Sequence, residues 1–173
     1  MDFSNVKMLD KGTVRKSREG ATRESNFDFR FANYTKQTKA GDVVISQFAF
    51  TEGAMKKYSL EDVTKGAAPF VQDGIVGIAV VDADNAVFLG APRKGELKAR
   101  NVSVPSLVAA MAESGLVDTT FQGSQYFNLK EVGQHEGVVY FEIVKADIPS
   151  KPYNPREAKE DVEVTNPSQT TID

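Results

Sequence analysis

Seven consecutive residues at 75–81, IVGIAVV, carry no polar side chain. Successive side chains of a strand point to opposite faces, so this run, taken as extended chain, is apolar on both. A strand buried on both faces belongs near the middle of a fold, with packed material above and below it. The run ends in polar DADN at 82–85 and apolar character resumes as AVFLG at 86–90. Asp and Asn tolerate tight-turn geometry, so this spacing predicts a β-hairpin with its turn at 82–85.

A second kind of strand is written at 26–32, NFDFRFA. Phe27, Phe29 and Phe31 alternate with Asn26, Asp28 and Arg30, which predicts three rings on one face of a half-buried strand. Those rings could be a stacking platform for single-stranded nucleic acid, but a core face is the reading favoured by their amphipathic setting. NYTKQTKAGD at 33–42 reads as a polar connection turning at Gly41 and Asp42. VVISQFAF at 43–50 reads as the next strand, being rich in β-branched and aromatic residues. TEGAM at 51–55 then reads as a turn and KKYSL at 56–60 as a weak extended piece.

One convincing helix follows, at about 104–114. Ser103 is the expected N-cap, Pro105 suits the first turn, and Gly115 offers a left-handed C-cap with Leu116 folding back. QYFNLKEV at 125–132 and VVYFEIV at 138–144 form a second hairpin around GQHEG. The expected fold is therefore α+β and β-rich: about eight strands in antiparallel hairpins, making a small barrel or sandwich with one main helix. The chain divides into a basic extended arm (1–25), a β-rich globular domain (26–148) and an acidic, proline-containing tail (149–173).

Composition removes several kinds of chemistry. With no cysteine, the chain has no disulfides, thiolate nucleophiles or cysteine-ligated metal. Its single histidine, His135, lies in a turn beside Glu136 and reads as a solvated loop residue rather than part of a catalytic triad. DADN fails as a calcium loop, because Val87 and Arg93 stand where the sixth-position glycine and twelfth-position glutamate are needed. No glycine-rich phosphate loop is present. The expectation is a protein that is not an enzyme and has no catalytic residues, cofactor or metal. No apolar run approaches the roughly 20 residues that cross a bilayer, and the first residues lack the apolar core of a secretory signal. A soluble protein of the cytoplasm or of a virion is expected, with no membrane partner.

Charge is the remaining clue. Residues 1–40 carry a net +4, residues 41–150 a net −5 and residues 151–173 a net −2. Lys11, Arg15, Lys16, Arg18 and Arg23 fall within KGTVRKSREGATR, interleaved with glycine, serine and threonine. Such a segment cannot form a buried face, but its guanidinium groups can pair with carboxylates or phosphates. The acidic body offers the complementary surface on an identical neighbour and would itself repel nucleic acid. The expected function is that of a structural or assembly protein, such as a virion accessory or capsid-associated component. It would bind other protein subunits, its own copies or capsid-type partners, through those five basic residues. The alternative is a small nucleic-acid-binding regulator with a β-barrel body and the same arm on the phosphate backbone.

Overall fold

The computed structural model of the chain describes residues 3–4, 6–9, 13–15, 26–92 and 98–155. All its named strands join one sheet: β1 (Lys7–Met8), β2 (Thr13–Arg15), β3 (Phe29–Thr38), β4 (Gly41–Phe50), β5 (Lys65–Gln72), β6 (Ile75–Asp82), β7 (Asn101–Ser103), β8 (Gly123–His135), β9 (Val138–Lys145) and β10 (Lys151–Pro152). Two helices interrupt them, α1 (Glu52–Lys57) and α2 (Pro105–Glu113). The strand order is β1-β5-β6-β9-β8-β3-β4-β7-β2, with β10 on β8, and every pairing is antiparallel. The expected β-rich α+β fold with one main helix is the fold observed, and the sheet is not closed into a barrel.

It is nevertheless strongly curled, for a covalent reason. β1 and β2 lie at opposite ends of a nine-strand path. If flat, eight inter-strand steps would separate them by roughly 38 Å. Met8 and Thr13 are only five residues apart in sequence, a reach of at most about 18 Å. The two ends of the sheet must therefore approach each other. Phe88 sits in the gap: its backbone exchanges hydrogen bonds with Ala67 of β5 (2.9 and 3.0 Å), while its ring lies 6.0 Å from Phe50 of β4.

The curl creates two apolar layers. Inside it pack Phe29 and Phe31 of β3, Phe48 and Phe50 of β4, Val76, Ile78 and Val80 of β6, and Leu107 and Met111 of α2. On the other face lie Ala79 and Val81 of β6 with Phe70, Tyr140 and Phe3. The 75–81 run is thus buried on both sides, as its lack of polar residues requires. Phe3 stacks on Tyr140 (centroids 4.4 Å, 16°) and lies over Gly133, where an added Cβ would come within 2.5 Å of its ring.

Several local expectations are corrected. β6 leads not into a hairpin but into a 3-10 turn at Ala83–Asn85; its hairpin partner is β5, reversed through Asp73 and Gly74, both at positive φ. TEGAM and KKYSL are not a turn and an extended piece. Thr51 caps α1, its Oγ1 accepting from the Ala54 N–H at 3.0 Å, and the first turn carries Glu52 paired to Lys56. The cap of α2 is Val104 rather than Ser103, without a side-chain hydrogen bond, since Ser103 is already paired in β7. Pro105 does open that helix, and Gly115 (φ +73°) closes it, letting the Leu116 N–H reach the Met111 carbonyl at 2.8 Å. The hairpin of 125–132 with 138–144 holds, in longer form, as β8 and β9.

Phe29 and Phe31 face the core, but Phe27 precedes β3 in a bend, half-buried against Tyr126 (4.7 Å). Phe29→Ala, at 0% exposure, should cost about 3–5 kcal/mol of unfolding free energy in urea titrations. Phe27→Ala should cost clearly less; equal losses would contradict this assignment of the rings.

Candidate interaction surface

β3 and β4 pair without a register shift over their whole length, from Phe29↔Phe50 to Thr38↔Gly41. Their neighbours hold only the near half. β8 pairs with β3 at residues 29–33, and β7 pairs with β4 at Phe48 and Ala49. Beyond that point the two strands continue as a two-stranded ribbon whose residues 35–44 are exposed. Val44 is 64% and Val43 41% exposed, two of the four large apolar side chains that face solvent among the described residues.

The foot of this ribbon is firmly tied. Asn33 donates from Nδ2 to the Thr119 carbonyl (2.7 Å), and the Thr35 N–H donates to Gln122 Oε1 (3.0 Å). Gln125, buried, holds the same loop by donating to the Asp118 carbonyl (2.7 Å) and accepting the Asp118 N–H (2.9 Å). Tyr34 stacks on Tyr153 (4.1 Å, 11°), whose N–H bonds the Gln122 carbonyl at 3.0 Å. The segment after β9 is therefore seated against the ribbon's foot as far as it is described.

Of the five basic residues singled out from sequence, Lys11, Lys16, Arg18 and Arg23 lie outside the described residues. Arg15 is the last residue of β2, its backbone opposite Asn101 of β7. The arm thus contributes a strand to one end of the sheet and β1 to the other. The β4 side of the ribbon is read in the sequence as the strand at 43–50, but 33–42 is not the polar connection expected: β3 continues to Thr38, the turn lies at Lys39 and Ala40, and Gly41 and Asp42 already belong to β4. The far half of β3 has no buried face and so shows no apolar alternation, and only the β-branched Thr35 and Thr38 hint at it.

Two half-buried polar groups explain themselves structurally. The Asp28 carboxylate accepts from the Tyr58 hydroxyl and from the Leu129 N–H, both at 2.7 Å, tying α1 to β8. Burial first, then the hydrogen bond to Asp28 and its charge, push the Tyr58 phenol far above its ordinary value. The Lys98 ammonium donates to the carbonyls of Leu60 (2.8 Å), Lys65 (2.6 Å) and Asp62, using all three protons to close the loop between α1 and β5. Burial lowers its pKa. With its protons committed, this lysine acts as a staple.

His135 ends β8 in solvent, with Nε2 3.8 Å from Glu136 Oε1. Among the described residues, no group of three or more His, Cys, Asp or Glu side chains could hold a metal ion, and no helix is long and apolar enough to cross a membrane. No protein-family model, curated protein or solved structure matches the chain.

The Tyr58 pair has a pH signature. A phenol whose folded pKa is raised contributes stability below the unfolded value, near 10.0, and loses it as pH rises past that value. Wild-type stability should fall above about pH 10, more steeply than that of Tyr58→Phe, which should already be weaker at neutral pH by roughly 1.5–3 kcal/mol. Parallel stability–pH curves for the two proteins would exclude a coupled Tyr58–Asp28 pair.

Proposed function

We propose that this chain is a non-enzymatic structural protein that works by binding other protein subunits, as a virion accessory or capsid-associated component of the cytoplasm or the virion. The observation that supports this reading is the ribbon of β3 and β4. A rigidly footed projection with exposed valines and a β4 edge that no strand among the described residues pairs gains nothing for its own domain's core; its surface is of use to a neighbour. Charge supports the same reading. Lys11, Arg15, Lys16, Arg18 and Arg23 form the proposed partner-binding arm, and residues 41–150 carry the net −5 that an identical subunit would offer them.

The test replaces Arg15, Lys16, Arg18 and Arg23 together with Ser. Light scattering across a salt series should show reduced assembly with an unchanged thermal midpoint. Oligonucleotide binding with a steep salt slope, abolished by the same replacements, would overturn the assembly reading in favour of a nucleic-acid-binding regulator.

A further inference from the structure

We infer that β4 is the place where two copies of this chain join, their ribbons pairing antiparallel, edge to edge, about a two-fold axis at Val43. The inference rests on the assembly reading and names the partner as a second copy.

The hydrogen-bonding direction of β4 can be read from its two ends. The Phe50 N–H points away from β3, donating to the Arg100 carbonyl at 3.0 Å. The Thr35 N–H points away from β4, toward Gln122, so Thr35 and its opposite residue Val44 do not bond each other. Both observations give the same alternation: the N–H and C=O groups of Val44 and Asp42 face outward. Among the described residues, no strand pairs with that edge at 41–45.

Exposed edges are ordinarily guarded by lysine, proline or a bulge. The β3 side has such guards in Lys36 and in Gln122, which occupies the Thr35 N–H. The β4 side is guarded only by Asp42: residues 41–45 are Gly-Asp-Val-Val-Ile, with no lysine, no proline and no break in register. A β-branched edge with a single charge, on a rigid foot, is a pairing template.

The neighbouring structure sets the register. β7 covers β4 at Phe48 and Ala49, and Ser103 Oγ donates to the Ser46 carbonyl at 3.1 Å, so an incoming strand must lie tipward of Ser46. Centring the pair on Val43 meets this condition. It places Val43 opposite its own copy and Ile45 opposite Gly41. Val44 then exchanges both backbone hydrogen bonds with Asp42 of the second copy, and the two-fold repeats the exchange. No like charges stand directly opposite, and Val43 gains its own copy as an apolar cross-strand neighbour. So short a contact falls below the roughly 800 Å² per partner of a stable interface, so the pair is concentration-dependent until other subunit contacts add to it.

The cysteine-free chain makes a direct test available. Val43 has its N–H toward β3, so at the axis it forms a non-hydrogen-bonded pair, whose Cα atoms lie about 4.5 Å apart, a separation a disulfide can span. Val43→Cys, oxidised with diamide, should form a disulfide dimer at least about tenfold faster than Val63→Cys, an exposed control on another part of the surface, because pairing raises the local thiol concentration. Adding Val44→Pro, which removes an outward N–H and leaves the β3 ladder intact, should cancel that advantage. Val44→Lys should do the same through an edge charge, should the proline variant fold poorly. Equal rates for the two cysteine variants, or an advantage that survives both Val44 substitutions, would overturn the pairing. If the wild-type chain assembles on light scattering while the cysteine rates are equal, the β4 interface falls and the assembly function stands.

Discussion

Burial of β6 on both faces is the constraint from which the architecture follows. Ile78 and Val80 point into the curled interior, while Ala79 and Val81 point the other way. Each fully buried aliphatic side chain of this size contributes roughly 1.5–3 kcal/mol, so neither face can be left to water. The interior is filled by phenylalanines from β3 and β4 and by α2. Among the described residues, no second sheet covers the outer face. Phe70, Tyr140 and Phe3 do so instead, and Gly133 gives Phe3 room because it has no side chain.

The N-terminal segment consequently has a structural task besides any binding it performs. Phe3 closes the outer layer, β1 extends one end of the sheet and β2 the other. A few residues bridge ends that would be far apart in a flat sheet, so the curl and the segment depend on each other. A basic stretch that reads as an appendage is in part a strand at the margin of the domain. Arg15, one of the residues proposed to bind a partner, is thereby placed in the strand that forms one end of the sheet.

The ribbon has the opposite economy. Its near half is core, with Phe29, Phe31, Phe48 and Phe50 wholly buried, and its far half makes no core contact. Asn33, Gln122 and the Tyr34–Tyr153 stack mark the boundary and stiffen it. A projection held this way presents its edge in a fixed orientation, which reduces the ordering cost when a partner strand is added.

The β-rich class, the double burial at 75–81, the core placement of Phe29 and Phe31, the β8–β9 hairpin, and the span and C-terminal stop of α2 are all legible in the residues alone. In each case the pattern is local: side-chain alternation, an apolar run, or a proline and a glycine bracketing a helix. Pairing decided the rest. β5 is Lys-Gly-Ala-Ala-Pro-Phe-Val-Gln, weak in strand propensity, and becomes a strand because β6 supplies its ladder. The far half of β3 is polar on both faces and is a strand because β4 runs beside it for its full length. Asp82 to Asn85 have turn chemistry, yet they make a 3-10 turn because the edge of β6 is already taken by β5 and β9. Which edges remain free for a neighbour is likewise a property of the assembled sheet, since a strand edge becomes an edge only after every other strand has found its place.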